Sequence, residues 1–132
     1  MRSRRWERMK ILIAEDVKST RMVLRRMIEK MPGDWEIIEA EDGERALELY
    51  FQLAPEIIFL DVQLPKVNGW GLLSFVRRSD AETQIVMVTA SKESEDVQKA
   101  ADLGASGFVG KPFDQDELRE FLGHNGVLAE AS

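Results

Sequence analysis

Residues 57 to 69 read Ile57-Ile58-Phe59-Leu60-Asp61-Val62-Gln63-Leu64-Pro65-Lys66-Val67-Asn68-Gly69. An unbroken apolar run ends on a carboxylate, and a segment containing turn formers follows. A strand that is apolar at every residue is buried on both faces, the habit of central parallel strands in α/β proteins, and ligands bind beyond the carboxyl ends of such strands. Asp61 therefore stands where chemistry is available. Three further runs end in the same way. Lys10-Ile11-Leu12-Ile13-Ala14 delivers Glu15-Asp16, Gln84-Ile85-Val86-Met87-Val88 delivers Thr89, and Gly107-Phe108-Val109-Gly110 delivers Lys111-Pro112. Three acids, a hydroxyl and an ammonium thus converge on one edge of one sheet.

Between these runs the apolar period changes from that of a strand to that of a helix. Leu24, Met27, Ile28 and Met31 recur at i, i+3, i+4 and i+7 and stop at Pro32-Gly33. A second strand, Trp35-Glu36-Ile37-Ile38-Glu39-Ala40, precedes Asp42-Gly43 and a helix carrying Ala46, Leu49, Tyr50 and Leu53, ended by Pro55. After Gly69 a short helix turns Leu72, Phe75 and Val76 inward, and a fourth offers a weakly apolar face of Val97, Ala100, Ala101 and Gly104. Asp114 is suited to cap the last helix, whose inner side is Leu118, Phe121 and Leu122. Strand and helix alternating in this way predict right-handed βαβ crossovers and an α/β fold. The expected architecture is a flavodoxin-like (βα)5 doubly wound fold, a five-stranded parallel sheet in order 2-1-3-4-5 with helices on both faces. In that order the first and third strands are neighbours, so Glu15, Asp16 and Asp61 meet across the crevice between them.

Composition narrows the choice of partners. The chain has 132 residues, 44% hydrophobic and 32% charged, with no cysteine, which excludes disulfides, thiolate metal sites and cysteine nucleophiles. Its one histidine, His124, lies among Gly123, Asn125 and Gly126, the setting of a surface loop. No apolar stretch approaches the roughly 18 residues that span a bilayer, and no long apolar core follows the basic start, so we expect no membrane segment, no secretory signal and a cytoplasmic location. Arg2, Arg4, Arg5, Arg8 and Lys10 against Glu7 give the first ten residues a charge of +4, which leaves −10 on the remainder of a chain of net −6. An acidic body repels nucleic acid, so no direct nucleic-acid binding is expected. The basic start has two readings, an arm that contacts nucleic acid or membrane and a leader, and the leader is preferred because Met9 would also serve as a first residue. The expected organisation is a leader at 1–8, one domain at 9–124 and a tail at 125–132.

Carboxylates sharing a cleft repel unless a cation joins them. Mg²⁺ suits the set, since it takes a few carboxylate oxygens and completes its octahedron with water and phosphate oxygens. Asp61 can then act as a nucleophile towards phosphorus and form an acyl phosphate, with Lys111 neutralising the phosphoryl oxygens and Thr89 donating its hydroxyl to one of them. No general base is needed, because the carboxylate is already ionised. Singly, each residue has an ordinary reading: a turn aspartate, a β-forming threonine, helix N-terminal acids, a loop lysine. Their joint placement at the ends of strands one, three, four and five carries the chemistry.

Across residues 9 to 122 the chain resembles the receiver domain of two-component response regulators (CheY-like). The matching segments are Ile13-Ala14-Glu15-Asp16, Asp61 with Pro65 and Gly69, Thr89-Ala90, and Gly104 through Phe113. The resemblance implies that Asp61 is the phosphoacceptor and that Glu15, Asp16, Asp61 and the backbone carbonyl of Gln63 bind Mg²⁺. It implies further that Lys111 contacts the phosphoryl group, that Thr89 and Phe108 are the switch hydroxyl and switch aromatic, and that the Lys111-Pro112 bond is cis. The donor would be a sensor histidine kinase or a phosphotransfer protein. Output would pass to a protein partner or a second copy through the fourth helix (around Lys92 to Leu103), the fifth strand and the fifth helix (Asp114 to Leu122). Phe108 stands where many relatives carry tyrosine, and without a phenol to keep in water it is expected to favour an inward rotamer. Gln63 and Ser91 occupy the positions two residues beyond Asp61 and Thr89, where the family adjusts the access of water.

Two other classes fit less well. A haloacid-dehalogenase-like phosphatase also uses an aspartate, Mg²⁺, threonine and lysine, but it needs a second aspartate where this chain has Gln63. A constitutive pseudo-receiver acting as a binding module is opposed by the intact acid set. The expectation is therefore a signalling switch and not a dedicated enzyme. Nucleotide binding is poorly served, since Ala14 to Ser19 is acidic and has no glycine-rich cradle.

Overall fold

The structure, a computed structural model, describes residues 8–90 and 93–124. Five strands and five helices alternate: β1 (Met9–Ala14), α1 (Lys18–Glu29), β2 (Trp35–Ala40), α2 (Gly43–Leu53), β3 (Ile57–Asp61), α3 (Gly69–Arg77), β4 (Gln84–Thr89), α4 (Ser94–Asp102), β5 (Gly107–Gly110) and α5 (Gln115–His124). All strand pairs are parallel, in the order β2-β1-β3-β4-β5. Leader residues 1–7 and tail residues 125–132 lie outside the described residues, as do Ser91 and Lys92.

The period-2 alternation of the strands builds two cores. Ile11, Ile13, Ile57, Phe59, Val86 and Val88 face one layer, where Leu24 and Ile28 of α1 and Leu118 and Leu122 of α5 cover them. Leu12, Ala14, Ile58, Leu60, Ile85 and Met87 face the other, under Ala46 and Leu49 of α2, Leu72, Leu73 and Val76 of α3, and Ala100 of α4. Because each central strand is buried on both faces, only its end reaches the surface. Three helix starts carry side-chain caps: Asp42 accepts the Arg45 amide at 2.7 Å, Asn68 the Gly71 amide at 2.9 Å, and Asp114 the Asp116 amide at 2.9 Å.

Some helix faces differ from the expectation. Phe75 is 43% exposed and Leu73 is buried in its place. At ~100° per residue, positions 73 and 75 each lie about 80° from the Leu72–Val76 midline, so the apolar pattern cannot choose between them. Buried Gly69 lies on the Leu73 side and settles the choice. Phe75 instead meets Phe51 of α2 edge to face, with ring centroids 6.2 Å apart. On α4 only Ala100 is buried, while Val97 and Ala101 face outwards. Half-buried Leu103 completes that contact one turn later. The backbone of α5 continues through His124, where the sequence suggested a loop.

The sheet edge opposite the acids is tied by hydrogen bonds. Arg77 donates to the carbonyls of Gly104 (2.7 Å), Asp80 (2.9 Å) and Thr83 (2.8 Å) and to the Ser106 hydroxyl (3.2 Å). Asp80 accepts from the Tyr50 hydroxyl, the Thr83 hydroxyl and the amides of Glu82 and Thr83. Burial alone would raise its pKa, but these bonds outweigh burial and hold the carboxyl well below the usual carboxylate range. A depressed folded-state pKa adds stability above the ordinary value that disappears as pH falls through the folded one. Asp80→Asn is therefore expected to cost about 1 kcal/mol at neutral pH, solvent screening included. Urea midpoints should fall less steeply below about pH 5 in the variant than in the wild type; parallel profiles would remove Asp80 from the account.

Candidate functional site

The registers decide which strand ends meet. Ala14 pairs with Leu60, so the next residues along, Glu15 and Asp61, flank one crevice, while Asp61 pairs with Val88 and Thr89 with Gly110. One oxygen from each of Glu15, Asp16 and Asp61 lies within 4.8 Å of the others. Glu15 is 3% exposed and Asp61 5%, whereas Asp16 is open to solvent. Lys111 reaches in from the far side, its Nζ 2.8 Å from Glu15 Oε1 and 3.1 Å from Asp61 Oδ2. The Gln63 amide donates to Asp61 Oδ1 at 3.1 Å and the Val17 amide to Glu15 Oε2 at 3.0 Å. Thr89 is buried at the same edge, and its carbonyl accepts the Lys111 amide at 2.8 Å. The Lys111-Pro112 bond is cis.

Electrostatically the pocket is short of positive charge. Burial, reinforced by neighbouring Asp61, pushes the Glu15 carboxyl above its ordinary value even though Lys111 and the Val17 amide oppose the shift. Burial works against the Lys111 ammonium, yet its hydrogen bond to Asp61 and the negative charge of Glu15 beside it prevail and raise its pKa. Glu15 Oε1 faces that ammonium without making a directed hydrogen bond, so a buried acceptor has a lone pair to spare. A hard divalent cation fits this donor set of two buried carboxylates and one exposed carboxylate.

The loops that carry the acids leave little slack. A Cβ on Gly69 would stand 2.3 Å from the Asp61 carbonyl, and one on Gly43 would overlap the Val67 carbonyl. The Gly43 amide donates to the Pro65 carbonyl at 3.0 Å, and Lys66 stands 3.5 Å from both Asp42 and Glu44, fastening the loop after β3 to the start of α2. An open groove of about 490 Å³ beside the acids is lined in part by Asp16, Gln63, Asn68 and Trp70. Lys99 of α4 lies over the Trp70 ring, 4.7 Å from its centroid. Phe108 is not in the pocket. It pairs with Met87, two rungs below Thr89, and packs half-buried against the α2–α4 core. Sequence reasoning missed Arg21, which donates to the Glu15 carbonyl at 2.8 Å and pairs with Glu39 at 2.7 Å. Its side chain is 12% exposed, and only the folded topology brings β2 beside it.

A parallel 2-1-3-4-5 sheet with an acid triad, a threonine and a lysine at its carboxyl edge defines a class, and sequence comparison agrees. The family model for the response regulator receiver domain matches residues 11–122, and the chain belongs to that family, a family of signalling switches, not dedicated enzymes. It is 31% identical to the chemotaxis protein CheY of Bacillus subtilis over 86% of this chain and 93% of that one. It is 37% identical to a probable transcriptional regulator, ycf27, of Guillardia theta over 83% of this chain, but spans only 42% of that longer protein. The crystal structure of the chemotaxis protein CheY4 of Vibrio cholerae superposes with a TM-score of 0.80 at 27% identity, covering 92% of this chain and all of that one. Receiver domains bind Mg²⁺ at an acidic cluster, and Glu15, Asp16 and Asp61 form such a cluster here. No described helix is long and apolar enough to cross a membrane.

Proposed function

We propose that residues 9–124 are a phosphorylation-controlled switch that takes a phosphoryl group onto Asp61. The reading rests on one observation above all: Asp61 alone among the three acids ends a central strand, buried, with Lys111 at 3.1 Å. Glu15, Asp16, Asp61 and the Gln63 backbone carbonyl would hold Mg²⁺, which when bound supplies positive charge for the equatorial phosphoryl oxygens. An ionised Asp61 oxygen attacks phosphorus as the bond to the donor's imidazole nitrogen breaks, and the leaving imidazole keeps the electron pair. Lys111 stays with the transferred group, and the Thr89 hydroxyl turns to one of its oxygens. The donor is a sensor histidine kinase or phosphotransfer protein, and small phosphodonors substitute for it. Spontaneous hydrolysis of the acyl phosphate resets the switch. We place the chain in the cytoplasm, flanked by a basic leader (1–8) and a tail (125–132), and assign it no nucleic-acid binding of its own.

Output follows from the neighbours of Thr89. As the hydroxyl is drawn to the phosphoryl group, space opens beneath α4, and Phe108 turns inward to fill it, burying ring area at about 25 cal/mol per Å². With no phenol to keep in water, Phe108 is biased inward before phosphorylation. The face of α4, β5 and α5 then binds a protein partner or a second copy of the chain. Beryllofluoride with Mg²⁺, which mimics a phosphoryl group on a carboxylate, tests both halves through amide shifts. Shifts at residues 15, 16 and 61 should extend through residues 93–122 in the wild type and shrink beyond the pocket in Thr89→Ala. Shifts confined to the pocket in the wild type would remove this output face.

A further inference from the structure

We infer that Arg21, held by Glu39, is a positioning residue for the acid pocket, fixing the loop that presents Glu15 and Asp16 to a divalent cation. The inference rests on the proposed Mg²⁺ site. Glu15 is pinned at every backbone polar atom: its amide donates to the Ala40 carbonyl at 3.0 Å, and its carbonyl accepts from Arg21 Nη1 at 2.8 Å. Its carboxylate, at the same time, accepts from the Val17 amide two residues on. The strand-to-helix turn is therefore shaped around one residue, whose carboxylate meets Lys111 and whose backbone carbonyl is held by the Arg21 guanidinium.

Arg21 suits the task because the fork of a guanidinium can serve two acceptors at fixed angles. Its Nη1 goes to the Glu15 carbonyl and its Nε to Glu39 Oε1 at 2.7 Å. Glu39 lies on β2 beside Ala40 and pairs in register with Ile13, so both ends of the clamp are anchored in the sheet. Arg25 holds the other Glu39 oxygen at 2.6 Å, which orients the carboxylate towards Arg21 without touching the pocket. Glu39 also neutralises the guanidinium, so Arg21 contributes geometry to the site and little net charge. Groups that orient a metal's ligands from behind typically govern affinity as strongly as a weaker ligand does.

The test is a titration of the full chain with Mg²⁺ alone, read from the amide shifts of Glu15, Asp16 and Asp61, with melting temperature recorded beside it. Arg21→Ala and Glu39→Ala are expected to weaken Mg²⁺ binding about tenfold, and Arg25→Ala to leave it within about twofold. Arg21→Lys restores the charge but not the fork, so it should recover melting temperature while affinity stays low. If Arg21→Ala fails to fold, Glu39→Ala and Arg21→Lys are read by the same criterion. Wild-type affinity in Arg21→Ala, or an equal loss in Arg25→Ala, overturns the positioning role while leaving the Mg²⁺ site intact. A wild-type chain with no saturable Mg²⁺ response at these amides overturns the site and the inference together.

Discussion

Asp61→Asn should take up no phosphoryl group from acetyl phosphate and Mg²⁺, while the wild-type chain gains the mass of one. The amide oxygen of asparagine can still accept the Gln63 amide that now binds Asp61 Oδ1, so the loop keeps its shape. What disappears is the nucleophile, because a neutral amide does not attack phosphorus. The same change removes one of two buried carboxylates competing for Lys111 and leaves Glu15 with the ammonium to itself. Without Mg²⁺ the variant should thus be more stable than the wild type, by about 1 kcal/mol in urea. Intact mass and a denaturation curve read the two effects separately. Undiminished mass gain in the variant would mean that another side chain is the acceptor.

Lys111→Met is expected to do the opposite to stability. The methionine retains most of the apolar stem and deletes the charge, so Glu15 and Asp61 face each other, buried, with no cation between them. Removing one partner of a buried pair costs about 3 kcal/mol. Part of that cost is avoided if Glu15 takes a proton. Its pKa is already raised, so the folded state holds this proton more tightly than the unfolded chain, and ionising Glu15 costs stability as pH rises through the folded value. Lys111 has the matching sign: its raised pKa adds stability that is complete below the ordinary lysine value and lost as pH climbs through the folded one. The variant should therefore be less stable than the wild type at neutral pH and recover towards acid. Mg²⁺, replacing the lost charge, should stabilise it more than it does the wild type. Phosphoryl uptake should be impaired even with Mg²⁺ present. Equal urea midpoints for variant and wild type, unaltered by Mg²⁺, would show that Lys111 is not the pocket's countercharge.

The three central strands were legible because burial on both faces leaves no doubt about period. Ile57 to Leu60 has no polar residue to place, and its end at Asp61 follows from the first charged side chain. Glu15, Asp61, Thr89 and Lys111 were legible for the same reason, each being the first polar residue after such a run, with Asp16 directly behind Glu15. Helix faces were less so. Leu73 and Phe75 flank the same axis symmetrically, and only the buried Gly69 distinguishes them. Arg21 and Glu39 lie 18 positions apart on amphipathic elements rich in charge, where any arginine could have been a solvated one. The double contact of Lys111 was equally out of reach, since pattern gives the strand end from which a side chain starts but not how far it reaches.

Arg77 has a mechanical consequence. Its bonds to the Gly104 carbonyl and the Ser106 hydroxyl fasten the turn after α4 to the loop after α3, so that end of α4 is a fulcrum. The opposite end, at Ser94, adjoins the segment leaving Thr89. At ~1.5 Å per residue, the nine residues of α4 make a lever roughly 12 Å long, so a tilt of about 10° would carry Ser94 some ~2 Å while Gly104 scarcely moves. If Thr89 moves as the proposed switch requires, its displacement would be delivered as a graded one along the helix, largest near Ser94 and least where Arg77 bolts it.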